Sequence, residues 1–474
     1  MLFSSLTFIV FFLPAVLAIT ALLGRRQGET AALVFLIMAS CLFYAWAYPP
    51  HLLLLGASIA VNFTIGQRLA REPDRVILWA GVAFNLGLLG WFKYAGFLSE
   101  SLGAISGAQF HLTGIVLPLA ISFFTFQQIA YLVDISRGEV KPAGFLKYVF
   151  FVSFFPQLIA GPIVHFRQLV PQLGGGRFAR FLSTDLAAGA LLFALGLGKK
   201  VLVADNLRHG ADRIFEAAAV GVEPSFLEAW TGMFCYGFQI YFDFSGYSDM
   251  ALGLGRMFGL KLPVNFFSPY KAASIIDFWH RWNITLSHFL RDYLYIPLGG
   301  NRRGRIMRYA NLFIVMLLGG LWHGANWTFF VWGGLHGAYL TINHAWRWLG
   351  APALPRPLGI GLTFIAATVA WVFFRADSFA DAWMIFEAMA GLSQAQTLSL
   401  SLLKEFTWLP LLLAAAGAIV WTMPNAVEIV RRFEEEGFSL THERVVVTCA
   451  GSLAAFSLFS VYSAGSYEFL YFQF

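Results

Sequence analysis

Long apolar stretches recur along the whole of this sequence and limit its fold more than any other feature. A hydrocarbon core of about 30 Å needs roughly 20 apolar residues to cross it as a helix. Backbone polar groups in lipid must be hydrogen-bonded internally, which favours helices. We therefore predict an all-α polytopic membrane protein with roughly ten to twelve transmembrane or re-entrant helices in one membrane domain, residues 1–474. The apolar stretches lie near residues 2–23, 31–48, 51–69, 76–98, 115–133, 145–163, 185–204, 226–255, 309–332, 333–349, 359–374, 408–422 and 445–463.

The composition is that of a membrane protein. It argues against a soluble protein, a nucleic-acid-binding protein and a disulfide-rich protein. The chain is 58% hydrophobic and 12% charged, about half the charge of a soluble protein. The net charge of +6 is spread among loops, so no nucleic-acid partner is predicted, and the lipid bilayer is the expected surroundings. Cys41, Cys235 and Cys449 are widely spaced in apolar runs. They indicate neither a disulfide framework nor a metal site.

Loops rich in basic residues alternate with loops that have few, and this pattern predicts the orientation of the chain in the membrane. Loops rich in Lys and Arg stay in the cytoplasm, so the intervening turns face the other side. Residues 99–113 carry no Lys or Arg at all. The N-terminus is therefore predicted to be periplasmic or extracellular, and basic loops at residues 199–200 and 302–308 are predicted to be cytoplasmic. The early basic positions are Arg25, Arg26, Arg68, Arg71, Arg75, Arg137, Lys141 and Lys147.

One apolar stretch, residues 316–339, contains His323, Asn326 and His336. An ionisable side chain at membrane depth is costly and is by default a candidate for a functional site. If the chain is helical from Arg308, His323 lies roughly 22 Å along the axis, well inside a core of about 30 Å. Gly319, Gly320 and Gly324 would allow another backbone or a ligand to approach closely.

A second stretch, residues 277–297, has the pattern of an amphipathic helix at the membrane surface or in a re-entrant position. At 100° per residue its charged side chains fall on one stripe and its aromatic and aliphatic ones on the other. Asn283 is the exception, because it falls within the apolar face, where an amide needs a partner. His280 lies at the edge of the polar stripe.

These two residues leave two function classes open. In an enzyme, His323 is a general base and Asn283 holds a substrate carbonyl or orients the imidazole. In a transporter, both line a polar pathway. Each also has a purely structural explanation, a core histidine bound to a backbone carbonyl and an amide bonded between helices. Neither a nucleophile elbow nor a P-loop occurs in the sequence.

Several motifs resemble the membrane-bound O-acyltransferases, in particular the bacterial branch that contains the membrane subunit of alginate O-acetylation. They extend over most of the chain, and their combination is specific for the family but not for the acceptor. The matching motifs are FFPQLIAGP (154–162), YFDFSGYSDM (241–250), DFWHRWN (277–283), LRDYLYIPLGGN (290–301), LWHGANW (321–327) and YFQF (471–474).

The resemblance implies a helical fold with a tunnel through its thin centre. The family's catalytic histidine corresponds to His323, and the second motif residue, often His or Asn, corresponds to Asn283. His280 stands where many relatives have Arg. The donor is expected to be cytoplasmic acetyl-CoA, a substrate and not a cofactor. Expected substrate contacts are Trp279, Trp322, Asn326, Arg302, Arg303 and Arg305, the arginines because guanidinium groups pair with phosphate.

The resemblance also implies a place and a set of partners. The protein is expected in the bacterial inner membrane, passing an acetyl group to a periplasmic acetyltransferase or acetyl carrier protein that serves the exopolysaccharide biosynthesis machinery. Alginate is the acceptor of the branch it resembles. Cellulose, peptidoglycan and teichoic acid are the alternatives, and the sequence does not choose among them.

Overall fold

The computed structural model describes residues 1–107, 112, 114–395, 399–435, 440–465 and 467–470, with the backbone alone at 440–447 and 464. Within these residues the chain is helical and has no β-strand, which confirms the predicted class. The YFQF motif lies outside them. The helices are α1 Leu13–Arg26, α2 Glu29–Ala45, α3 Pro50–Arg71, α4 Arg75–Leu89, α5 Ala95–Ser106, α6 Ile121–Ser136, α7 Phe145–Ser153, α8 Phe155–Leu158, α9 Phe166–Leu169, α10 Ser183–Gly198, α11 Asp205–Ala219, α12 Phe226–Met257, α13 Ile275–Trp279, α14 Ile284–Leu290, α15 Gly304–His323, α16 Trp327–Trp348, α17 Arg356–Arg375, α18 Phe379–Met389, α19 Leu409–Thr422, α20 Ala426–Glu435 and α21 Leu440–Ala464.

Six helical stretches of the described chain are long and apolar enough to cross a membrane. A bent pair, α19 with α20 at 47°, makes a seventh if it is one span. The ten to twelve helices predicted from the sequence included re-entrant ones. The membrane placement of shorter helices such as α2 stays a prediction. The six stretches are Thr7–Arg26, Pro50–Arg71, Arg75–Ser106, Ser183–Ala219, Gly304–His323 and Arg356–Arg375.

The chain forms two compact units, each built from separated parts of the sequence. The first contains residues 1–196, 247–264 and 430–468. The second contains residues 197–246, 265–429 and 469–474. No single position in the sequence separates the two. The prediction of one membrane domain over residues 1–474 stays a prediction.

The first unit has an aromatic core and a buried amide pair. Phe3 stacks on Tyr247 with ring centroids 4.7 Å apart, although the two are far apart in sequence. Asn62 on α3 and Asn85 on α4 exchange side-chain hydrogen bonds of 3.1 and 2.6 Å. Both amides are fully buried. An amide pair satisfied in this way holds two apolar helices in one register.

In the second unit, α15 and α16 form a tight hairpin whose contact face is made of glycines. A methyl group on Gly320 would lie 2.3 Å from the Phe329 carbonyl oxygen, and one on Gly333 would lie 2.3 Å from that of Met316. Small residues allow helices in membranes to approach closely. The predicted close approach at Gly320 is therefore confirmed, and the partner is the backbone of α16.

We expect Gly333→Ala to destabilise the hairpin, because overpacking of this kind costs about 1–3 kcal/mol. Gly334→Ala is the matched control, since a methyl group there would meet Leu317 at an ordinary 3.4 Å. Both changes gain the same helix propensity, so the difference isolates the steric clash. Thermal unfolding in detergent measures it. Equal midpoints for the two variants would contradict the close packing.

The predicted basic loop at residues 199–200 is wrong. These residues continue the helical stretch Ser183–Ala219 as a wider turn, Lys199–Ala204. Lys200 is 4% exposed and its Nζ lies 2.5 Å from Asp205 and 2.8 Å from Asp243. The Leu470 amide donates to the other oxygen of Asp243 at 2.8 Å. The charge is retained because it is paired inside the second unit.

Candidate active site

His323 is the last residue of α15 and is 3% exposed. Aromatic rings from three helices surround it. Its ring centroid lies 5.0 Å from Trp322 and Trp332 and 5.2 Å from Phe374. The predictions that α15 is helical from the basic segment onwards and that His323 is buried are confirmed. The imidazole is thus in contact with three aromatic side chains.

The helix ends at His323 because the next residues prefer other conformations. Gly324 is extended, and a methyl group there would lie 2.1 Å from the Phe329 ring. Asn326 then caps α16, accepting a hydrogen bond from the Thr328 amide at 3.1 Å. Its side-chain nitrogen donates to the Asp377 carbonyl at 3.0 Å. Asn326 is thus engaged in the local fold, and its predicted contact with substrate stays a prediction.

Asn283 breaks the helix that the sequence pattern predicted. The stretch folds as two short helices, α13 and α14, with Asn283 between them at φ 42° and ψ 54°. The prediction of one continuous amphipathic helix is therefore wrong. Asn adopts this left-handed conformation more readily than most residues, which explains the break.

The break leaves the predicted burial intact. Asn283 is 3% exposed, and its side chain does not cap α14. His280 is exposed, as its place at the edge of the polar stripe predicted. Asn265, which the sequence analysis missed, holds the start of α14. Its side-chain oxygen accepts from the Thr285 hydroxyl at 2.8 Å and from the Thr285 amide at 3.2 Å.

A chain of aromatic contacts runs from His323 to Trp282, the residue before Asn283. Trp282, next to Asn283, lies 5.0 Å from Trp371 between ring centroids. Trp371 stacks on Trp332 at 5.7 Å, and Trp332 meets the His323 ring. His323 thus belongs to an aromatic cluster of the second unit, and Asn283 follows Trp282, a member of that cluster, in the sequence.

His336 is a further polar residue of this cluster and is fully buried. Trp279, a predicted substrate contact, donates its indole N–H to His336 Nδ1 at 3.3 Å. The His336 ring lies 4.8 Å from that of Trp332. The sequence signal for His336 was the same as for His323, an ionisable residue in an apolar stretch.

The predicted basic loop at residues 302–308 is only partly a loop, because α15 begins at Gly304 and contains Arg305 and Arg308. Arg302 and Arg303 are exposed. Arg305 stacks its guanidinium over the Trp348 ring at 4.7 Å, and Arg308 lies 2.9 Å from His344 Nδ1. Of the three arginines predicted to bind substrate, Arg302 and Arg303 therefore have the side chains most available to a ligand.

A buried histidine within aromatic walls, at the end of a helix long and apolar enough to cross a membrane, is a candidate site for chemistry or transport. Comparison with known proteins decides between the two. The model of the "MBOAT, membrane-bound O-acyltransferase family" matches residues 136–380. The chain belongs to this family, and it is a multi-pass membrane O-acyltransferase. The enzyme prediction is confirmed over the transporter alternative.

Relatives with different named acceptors are similar over most of the chain. The "Peptidoglycan O-acetyltransferase" of Helicobacter pylori is 41% identical over 85% of this chain and 82% of its own. The "Probable alginate O-acetylase AlgI" of Pseudomonas aeruginosa is 43% identical over 82% and 75%. A "Teichoic acid D-alanyltransferase" of Streptococcus thermophilus is 27% identical over 54% and 68%. The comparison thus establishes the family, whereas the relatives differ in the acceptor that they are named for.

Proposed function

We propose that this protein passes an acetyl group from cytoplasmic acetyl-CoA across the bacterial inner membrane for O-acetylation of an exported polysaccharide such as alginate. One observation carries the proposal: α15 has exposed arginines before its first turn and the buried His323 at its last residue. Its 20 residues span about 30 Å, the thickness of a hydrocarbon core. The helix thus joins a surface suited to phosphate with a base inside an aromatic enclosure.

The donor would be held by its charged end. Arg302 and Arg303 can pair with the phosphates of coenzyme A, because a guanidinium group binds phosphate bidentately. The thioester end would extend along the protein towards His323. Enclosure by Trp322, Trp332 and Phe374 excludes water and so suppresses hydrolysis of the thioester.

The transfer needs one base and no cofactor. His323 takes the proton from the acceptor hydroxyl, and the oxygen attacks the thioester carbonyl carbon. The new C–O bond forms while the carbonyl electron pair moves onto its oxygen. When this pair returns, the C–S bond breaks and the coenzyme A thiolate takes the proton back from His323. Asn283 would hold a substrate carbonyl or orient the imidazole.

A long polysaccharide is too wide for this enclosure, so a relay is proposed. The acetyl group would pass to a hydroxyl on a periplasmic acetyltransferase or acetyl carrier protein, which then serves the exopolysaccharide machinery. That hydroxyl must come within about 2.6–3.2 Å of the base. The orientation with a periplasmic N-terminus belongs to the same proposal and follows from the basic loops.

Reconstitution tests the proposal. Membranes that contain only this protein, supplied with radiolabelled acetyl-CoA, should not acetylate the polymer, and a periplasmic fraction should restore acetylation. Alginate and peptidoglycan fragments offered in parallel identify the acceptor. Acetylation of long polysaccharide by the purified protein alone would overturn the relay. Absence of any acetyl transfer from acetyl-CoA, with or without the fraction, would overturn the donor.

We expect charge reversal of two exposed arginines, Arg302→Glu with Arg303→Glu, to raise the KM for acetyl-CoA about tenfold or more, because a hydrogen bond to a charged group contributes about 1.5–3 kcal/mol. The control is Arg25→Glu with Arg26→Glu, an equally exposed adjacent pair. Steady-state kinetics in detergent measures both variants. An equal rise in KM for the two pairs would indicate a general surface-charge effect.

Asn283→Gly should lower the rate of acyl transfer by about 10²-fold, the usual effect of losing one well-placed hydrogen-bonding group. Glycine is used because it adopts the positive φ of this position without strain. His280→Ala, an exposed neighbour, serves as control and should retain most activity. The reverse order of effects in an acyl-transfer assay would exclude Asn283 from the site.

A further inference from the structure

Two buried hydrogen-bond donors of the aromatic cluster around His323 have no acceptor among the described residues. They are the indole N–H of Trp332 and Nε2 of His336. Their side chains are 1% and 0% exposed. Buried polar groups in folded proteins are almost always paired, so unpaired ones need an explanation, such as a catalytic role.

The contact with Trp279 assigns the His336 tautomer. An indole N–H only donates, so Nδ1 of His336 must accept the bond from Trp279 at 3.3 Å. In neutral imidazole the proton then resides on Nε2. Trp279 therefore acts as a positioning residue that turns the other nitrogen of His336 into a donor.

Both donors belong to one face of α16. Positions 332 and 336 are four apart, so their side chains lie one above the other on the helix. Trp332 contacts both histidines, with ring centroids 5.0 Å from His323 and 4.8 Å from His336. Trp332 thus links the predicted base to His336 within one aromatic cluster.

A neighbouring tryptophan, Trp371, does have a hydrogen-bond acceptor for its indole N–H within the cluster. Trp371, stacked against Trp332, donates its N–H to the Tyr270 hydroxyl at 3.2 Å. Trp332 has no such acceptor among the described residues, although phenylalanine would fill much of the same space without a polar atom. Donors kept in an apolar wall fit a ligand that brings its own acceptor oxygen.

We infer that Trp332 and His336 bind the carbonyl oxygen of the acyl thioester and stabilise the negative charge that forms on it. The inference rests on the proposed function, which supplies the thioester. As the acceptor oxygen forms its bond to the carbonyl carbon, the C=O electron pair moves to the carbonyl oxygen. The two N–H groups then donate to this oxyanion. They release it when the pair returns and the C–S bond to coenzyme A breaks.

Trp332→Phe tests the inference, because it removes the N–H and keeps an aromatic ring. Loss of one donor of this kind lowers kcat by about 10²–10³-fold. We expect that loss with the KM for acetyl-CoA nearly unchanged. The control is Trp230→Phe in the same unit, which removes an indole bond to the Met389 carbonyl. It should keep its kcat.

A second pair of variants keeps the test decisive if Trp332→Phe fails to accumulate. His336→Gln retains an N–H near Nε2 and should keep more activity than His336→Leu, which retains none. S-ethyl-CoA lacks the carbonyl oxygen and should inhibit wild type and variants equally. Near-normal kcat in Trp332→Phe, or equal activities of the two His336 variants, overturns the inference.

His323→Ala separates this outcome from failure of the proposed function. If His323→Ala is inactive and Trp332→Phe is active, the role of His323 as general base stands and the role of the two N–H donors is excluded. An active His323→Ala removes the proposed mechanism itself.

Discussion

His323→Ala is expected to abolish measurable acyl transfer while the protein still inserts and accumulates. Loss of a general base typically lowers the rate by about 10²–10⁴-fold. Here the upper part of that range is expected, because the rings in contact with the imidazole, those of Trp322, Trp332 and Phe374, carry no group that could replace the base. Single-turnover transfer from radiolabelled acetyl-CoA in reconstituted membranes measures the effect.

Two comparisons make the result interpretable. His323→Gln keeps a polar side chain of similar reach but is not a base, so it should be as inactive as His323→Ala. Thermal unfolding of both variants checks that the packing around Trp332 and Phe374 is retained. Near-normal transfer in either stable variant would remove His323 from the mechanism.

Lys200→Met should destabilise the second unit by about 3–5 kcal/mol, the usual cost of removing one partner of a buried ion pair. The loss leaves Asp205 and Asp243 facing each other with no cation between them. Both carboxylates are buried, at 7% and 2% exposure. Denaturation in mild detergent, followed by tryptophan fluorescence, measures the change.

Two controls test this interpretation, one within the buried cluster and one at an exposed ion pair. Lys200→Met combined with Asp243→Asn removes the uncompensated repulsion and should recover part of the loss. Arg431→Met breaks an exposed pair with Glu435, whose side chains are 64% and 65% exposed, and should cost at most about 1 kcal/mol. Similar effects of Lys200→Met and Arg431→Met would mean that the buried pair contributes little.

The sequence predicted the parts of the site that depend on polarity within apolar stretches. The burial of His323 and Asn283 and the exposure of His280 all follow from which side chains lipid or a packed core tolerates. The helical path of α15 from the basic segment to the histidine was predictable from length and composition. These properties are local, so one sequence is enough to find them.

What the sequence could not provide depends on contacts between distant positions or on a single backbone angle. The left-handed conformation of Asn283 breaks a helix whose periodicity is otherwise good. The pairing of Lys200 with Asp243 joins residues far apart in sequence, so Lys200 had the pattern of a loop cation. The engagement of Arg305 by Trp348 likewise appears only when α15 and α16 are packed together.

The division of the chain between two units has a consequence for how the protein is made. The first unit takes residues 1–196 from the start of synthesis and residues 430–468 from near its end. Translation at about 5–20 residues per second separates these parts by tens of seconds. During that interval the early helices are inserted but lack their last partners. The nascent protein therefore depends on lipid or on the insertion machinery to shield the surfaces that the late residues cover. Arg256, for example, gains Glu434 as an ion-pair partner only when residues 430–468 have been made.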